Sequence, residues 1–223
     1  MGFANMRALH LFIADLFPPE EFTAPAPAGL AALLVRGEPL PGPDPEADAL
    51  GRLFGLGQRD GPAAHLLAGE GTDPGADYWM RLDPVHLRFQ RDRLYLADAT
   101  AFELEAAEAL ALLDSLNAHF AADGLSCLAP HPKRWYVRLP AAPDLVTQPL
   151  DAVAGRRIDP RLPRGGDAPR WLGLINEVQM LFHDHPVNQA REAAGRPPVN
   201  SVWPWGGGYR RPLPPAAWAD VRT

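Results

Sequence analysis

The strongest periodic signal in the chain lies between residues 103 and 121. Leu104, Ala107, Leu110, Ala111, Leu113 and Leu116 recur at helical spacing among polar positions, and Gly124 follows as a stop, so a long amphipathic helix is predicted there. A second stripe of Trp171, Leu174, Ile175, Val178, Leu181 and Phe182 predicts a helix from Pro169 to His183. Pro186 then opens a shorter helix that ends at Gly195, ahead of Pro197 and Pro198. Further short helices are predicted over residues 29–35 and from residues 44–46 (Asp-Pro-Glu), where Asp44 can cap the first turn and Pro45 takes the first helical position.

Strand patterns lie between these helices. Residues 8–13 (Ala-Leu-His-Leu-Phe-Ile) form an apolar opening strand that Pro18 and Pro19 end. Residues 78–82, 85–89 and 93–97 predict a three-strand meander or a hairpin with Asp92 near the turn, and residues 133–139 predict another strand. From Val199 to Trp205, period two puts Ser201, Trp203 and Trp205 on one face and Asn200, Val202 and Pro204 on the other, and Pro204 marks an edge or a strand end. Sheet segments around a long helix predict an α+β or mixed α/β fold, a small mixed sheet packed by helices, with a C-terminal helical hairpin followed by a Trp/Gly-rich strand. A single domain is expected over residues 1–223, in five parts: 1–77, 78–140, 141–168, 169–208 and 209–223.

No apolar run approaches the ~20 residues that span a bilayer, and residues 8–13 are too short for a secretory leader, so a cytoplasmic protein without a membrane role is expected. The single cysteine, Cys127, permits neither an internal disulfide nor a thiolate zinc site. With 26 prolines, much of the chain should be irregular. Charge is unevenly placed: residues 1–150 hold 11 basic and 20 acidic side chains (net −9), and residues 151–223 hold 10 and 7 (net +3). A locally cationic segment in an acidic chain suits a small anion, whereas nucleic acid calls for a broad basic face.

Candidate chemistry concentrates in that C-terminal segment. Arg191 offers a planar fork for phosphate or carboxylate, and Asn188, Asn200 and Ser201 offer directional hydrogen bonds. Gly206, Gly207 and Gly208 let backbone amides approach an anion, and Trp203 and Trp205 would exclude water. Asn176, Gln179 and His183 share the polar edge of the preceding helix. The competing reading makes the same residues a helical hairpin docked by two core tryptophans. His183, Asp184 and His185 invite a Mn or Zn ion, but adjacent helical residues do not converge on one ion, so no cofactor is expected. Asp83, His86 and Arg88, with Arg81, Arg91 and Arg93 near them, are either a solvated strand face or a second half of the anion site.

The sequence resembles the bacterial RpfE-like proteins, relatives of the archaeal-type cofactor-independent phosphoglycerate mutases of the alkaline-phosphatase superfamily. The residues that carry this are the opening Leu-His-Leu-Phe-Ile-Ala-Asp-Leu, residues 83–88 (Asp-Pro-Val-His-Leu-Arg), residues 116–120 (Leu-Asn-Ala-His-Phe) and residues 176–208. Resemblance to the mutases is concentrated in residues 185–188 (His-Pro-Val-Asn), Arg191, Gly195 and residues 200–208. It implies a binding region for a phosphorylated small acid, next to a core that carries two metals and a phosphoryl-accepting serine in the mutases. Neither an early Asp-Gly pattern with a following serine nor an Asp-His pair after Gly208 is present, and no base is placed for Ser201, so no catalytic residue is assigned.

Three functions remain open at this level. The first is binding of a small phosphorylated or carboxylated metabolite. The second is a regulatory role in which the Trp-rich edge binds a protein partner or a second copy. The third is a metal-dependent phosphotransferase or hydrolase, if the natural protein continues beyond Thr223.

Overall fold

The computed structural model of the chain describes residues 28–36, 51, 54–56, 61–90, 92–98 and 101–213. The strand expected at residues 8–13 and the helix start at 44–46 lie outside them. The chain divides into two compact units, Met1–Asp44 and Pro45–Thr223. In the first, helix α1 (Ala28–Arg36) occupies the predicted position and ends on Arg36, a cation at the negative end of the helix.

The second unit is an α+β fold. Its elements are α2 (Ala63–Gly69), β1 (Tyr78–Gln90), β2 (Arg93–Asp98), α3 (Ala106–Phe120), β3 (Ser126–His131), β4 (Arg134–Leu139), α4 (Ala168–His183), α5 (Pro186–Ala193) and β5 (Ser201–Tyr209). The five strands form one sheet in which every pairing is antiparallel. Two of these elements, α2 and β3, are not predicted by the sequence pattern.

Strand β1 organises the sheet. Tyr78 pairs with both Leu139 and Tyr209, and Val85 with both Asp98 and Ser201, so β5 lies along one edge of β1 while β4 and β2 share the other. The segments 78–82 and 85–89 are therefore one strand of 13 residues, which corrects the meander expectation. Pro84 does not break it because residue 84 falls between the reach of β4, which ends at Arg81, and that of β2, which begins at Val85; no ladder bond is lost there. Asp92, at φ 59°, makes the turn into β2. On the other edge, β5 pairs with β1 alone, which accommodates Pro204.

Helices α3 and α4 cover one face of the sheet. Their buried side chains (Leu112, Leu113, Leu116 and Phe120; Trp171, Val178 and Phe182) join Met80, Leu82, Trp135, Val137 and Val202 in the main core. The buried stripe of α3 is displaced from the predicted one, since Leu112 is sealed while Leu110 is 57% exposed. Glu105 begins this helix, its backbone N–H bonded to the Glu108 carboxylate, and Gly124 at φ 72° ends the turn that follows. The opposite face of the sheet carries Val85, Leu96, Trp203 and Trp205, covered by Val153 and Ile158 of the loop between β4 and α4. That loop is ordered by backbone bonds to β2, from Leu96 to Arg156 and Gly155, and from Ile158 to Leu94.

Candidate functional site

The C-terminal motif folds as an interior. Helix α5 begins at Pro186 because proline needs no amide partner in the first turn, and His185 caps it by accepting from the Val187 N–H at 3.2 Å. This helix places Asn188 and Arg191 inward, at 2% and 0% exposure. Each nitrogen of the Arg191 guanidinium donates within the fold: Nε to Pro197 O at 2.8 Å, Nη1 to Glu108 at 2.7 Å and Nη2 to Glu103 O at 2.8 Å. Its plane also lies over Phe102, 5.5 Å from the ring centre. Glu108 takes Arg196 on its other oxygen at 2.9 Å, so a single carboxylate ties α3, α5 and the loop to β5.

Three asparagines share one geometry. Asn188 donates to Val199 O at 2.7 Å and accepts from Val199 N–H at 2.9 Å, with a further bond from its amide to Phe182 O. Asn200 accepts from Leu87 N–H at 2.7 Å and donates to Leu87 O at 2.8 Å. Asn117 does the same to Cys127, at 2.6 and 2.9 Å. A carboxamide has the same donor and acceptor pair as a peptide group, so each side chain stands in for a neighbouring strand where the ladder would otherwise end. The asparagines expected to orient a ligand orient backbone in this structure.

The tryptophans and glycines act likewise. Trp203 donates to Gln148 O at 2.9 Å and Trp205 to Asp83 Oδ2 at 2.7 Å. Asp83 also accepts from Arg81 and, at 3.2 Å, from the Trp135 backbone N–H; Arg81 lies between the rings of Tyr136 and Trp205. Burial pushes the Asp83 carboxyl above its ordinary range, against the opposing pull of Arg81 and the indole donor. A side chain at Gly207 would strike Tyr78 and Met80, and one at Gly208 would strike the backbone of Gly61, whose amide donates to Gly207 O at 3.0 Å. The triple glycine is the seat of the segment leading into α2. Ser201 is fully buried, and its Oγ has no hydrogen-bond partner.

The remaining expected residues lie apart from that interior. Asn176 and His183 are exposed on α4 and Gln179 is half-buried there. His185 Nε2 lies 3.0 Å from Ser115 Oγ, so both of its ring nitrogens have partners. Among the described residues, no three His, Cys, Asp or Glu side chains converge as a metal would require, and the 183–185 donors do not fit an ion. Burial pushes the Cys127 thiol up to about 12.

The second polar cluster is different. Cross-strand register puts His86, Arg88 and Gln90 of β1 on one face with Ala97, Tyr95 and Arg93 of β2. His86 Nδ1 donates to Pro198 O at 2.9 Å, which anchors this face to the loop before β5. Arg88 and Arg93 are diagonal neighbours, both exposed, and neither makes an ion pair with a described residue. Arg93 belongs to the basic run noted in the sequence, but only the register around Asp92 brings it to Arg88.

No protein-family model matches the chain. It is 44% identical over 63 residues to the 2,3-bisphosphoglycerate-independent phosphoglycerate mutase of Methanosarcina acetivorans, which is 28% of this chain and 16% of that protein. It is 29% identical over 137 residues to a probable mutase of the same description from Geobacter sulfurreducens, covering 60% of this chain and 34% of that one. A solved cofactor-independent phosphoglycerate mutase from Thermoplasma acidophilum aligns with 70% of this chain and 45% of its own, at 18% identity and a TM-score of 0.49. The chain thus spans between about a sixth and a third of the length of the curated relatives it matches. The chain is phosphoglycerate-mutase-like in sequence. No helix among the described residues is long and apolar enough to cross a membrane.

Proposed function

We propose that this chain is the anion-recognition portion of a phosphoglycerate-mutase-like protein of the RpfE-like kind, and that it binds a small phosphorylated or carboxylated acid on the exposed face of the β1–β2 hairpin. The observation that carries this reading is the contrast in arginine use. Arg191 has its donors taken up inside the fold, whereas Arg88 and Arg93 stand diagonally on an exposed face without carboxylate partners among the described residues. Two guanidinium forks at that spacing can take a phosphate or carboxylate between them, and Tyr95 beside them can add a hydroxyl donor. The names of the relatives supply the ligand class, a phosphorylated three-carbon acid. No catalytic step is assigned to these residues.

Titration calorimetry of the full chain with 3-phosphoglycerate and with inorganic phosphate tests the proposal. Binding should be saturable and weakened by salt, and Arg88→Ala and Arg93→Ala should each lower affinity by about tenfold, the effect of one charge-assisted contact. Absence of binding for both ligands, or affinity unchanged in the double variant, would overturn it.

A further inference from the structure

We infer that Arg157 is a third binding arginine of the hairpin face, and that Asp159 occupies it until a second acid group on the ligand takes its place. This rests on the anion site proposed at Arg88 and Arg93 and extends it from one anionic group to two.

The loop between β4 and α4 brings Arg157 to that face. It runs along the edge of β2 that points away from β1, where Leu96 N–H donates to Arg156 O at 3.2 Å and Ile158 N–H to Leu94 O at 3.1 Å. These two bonds flank an antiparallel bridge between Tyr95 and Arg157, the kind of pairing in which facing side chains come closest. Tyr95 is also the cross-strand partner of Arg88. Directly paired residues share a face, so Arg88, Tyr95 and Arg157 form one row across β1, β2 and the loop. The two arginines end that row roughly 10 Å apart at the backbone, two inter-strand spacings. Arg161 braces the loop by donating to Arg157 O at 2.9 Å and to Ala152 O at 3.2 Å.

The Arg157 guanidinium is only loosely held where it stands. Its Nη2 meets the Asp159 carboxylate at 3.3 Å, and the two side chains are 40% and 58% exposed. Water screens a pair of that kind, so exchanging it for another carboxylate costs little. Its Nε is shut from solvent and has no partner. Nε and Nη2 form one edge of the guanidinium, which can grip a carboxylate through two parallel bonds, and Asp159 uses half of it. Leaving Asp159 frees that edge to turn toward a ligand carboxylate, which replaces one bond with two and satisfies the orphaned donor. A phosphate held by Arg88 and Arg93 alone offers nothing across Tyr95.

3-Phosphoglycerate and glycerol 3-phosphate differ only in a carboxylate against a hydroxymethyl group, so calorimetry of the full chain with both is the test. 3-Phosphoglycerate should bind about tenfold more tightly, the worth of one bidentate contact. Arg157→Gln should bring it down to the level of glycerol 3-phosphate. Arg156→Gln removes the same charge from the adjacent exposed residue, on the opposite face by strand alternation, and should keep the preference. Asp159→Asn removes the competing carboxylate and should widen it. Equal affinities in the parent, a preference that survives Arg157→Gln or narrows in Asp159→Asn, or an equal loss in Arg156→Gln would each overturn the inference and leave the Arg88–Arg93 site standing. Binding of neither ligand would remove both.

Discussion

The C-terminal motif and the β1–β2 hairpin face contain the same kinds of residues, arginine, histidine and tryptophan or tyrosine, and the fold uses them in opposite ways. In the motif, Asn188, Arg191 and Ser201 are sealed, and the donors of Asn188 and Arg191 end on backbone carbonyls or on Glu108. On the hairpin, Arg88 and Arg93 lie on an exposed face with no carboxylate partner among the described residues. The density of polar residues in a stretch of sequence therefore does not distinguish a binding site from a polar interior. What distinguishes them is whether the fold has already supplied the partners, and a group already satisfied has little left to offer a ligand.

The sharpest way to break this comparison is to remove one arginine from each region. Arg191→Ala would leave Glu108 without its buried partner and the carbonyls of Glu103 and Pro197 without donors. A loss of about 3–5 kcal/mol in urea denaturation is expected. The double variant Arg88→Ala/Arg93→Ala should stay within about 0.5 kcal/mol of the parent while losing anion affinity. If Arg191→Ala instead folded normally and lost only binding, the two regions would have to exchange roles. Next in size is Asn188→Ala, which strips hydrogen-bond partners from Phe182 O and from both polar groups of Val199. Denaturation should show about 2–3 kcal/mol lost, with the Val199 amide losing its protection from hydrogen exchange.

Between these and the smallest effect lies a dependence on pH at the buried Cys127 thiol. An unfolded thiol ionises near about pH 8.5, whereas burial holds the folded Cys127 thiol protonated up to about 12. The native state then binds more protons than the unfolded state across that window, so stability falls as pH rises above about 8.5 and is unaffected by this group below it. Relative to Cys127→Ala, the parent should lose about 2 kcal/mol between pH 8 and pH 10. Parallel stability curves for the two proteins would show that the thiol is not sealed as the structure has it.

How much of this was legible beforehand follows from the range of the interactions. Helices α4 and α5 and their boundaries could be read because Pro169, Pro186 and Gly195 act within a few residues of themselves. Strand β1 was split in error because the harmlessness of Pro84 depends on where two other strands stop. Strand β3 was missed because residues 126–131 (Ser-Cys-Leu-Ala-Pro-His) lack the alternation and β-branched content that mark strands, and the pairing with β4 overrides weak local preference. The roles of Arg191 and the glycines were hidden for the same reason, since Glu108 lies 83 positions from Arg191 and Gly61 comes to Gly206–Gly208 only through the fold. For the hairpin face the turn near Asp92 was legible, but the cross-strand pairing of Gln90 with Arg93 that follows from it was not drawn from the pattern.

Ser201 gives the smallest expected effect and the finest test of the comparison. It lies in the middle of the motif, on the face that carries Trp203 and Trp205, opposite Val85, and its buried hydroxyl has no partner. A hydroxyl in that position opposes folding, because it gave up water on burial and gained nothing in exchange. Ser201→Ala should therefore leave stability unchanged or raise it by up to about 1 kcal/mol, since alanine removes the orphaned oxygen and leaves only a small void. Anion affinity should be unaffected, because the hairpin arginines do not depend on that hydroxyl. A variant that kept its stability but lost binding would show that the hydroxyl is held in reserve for a ligand, and the orphaned oxygen would then place part of the recognition surface inside the motif.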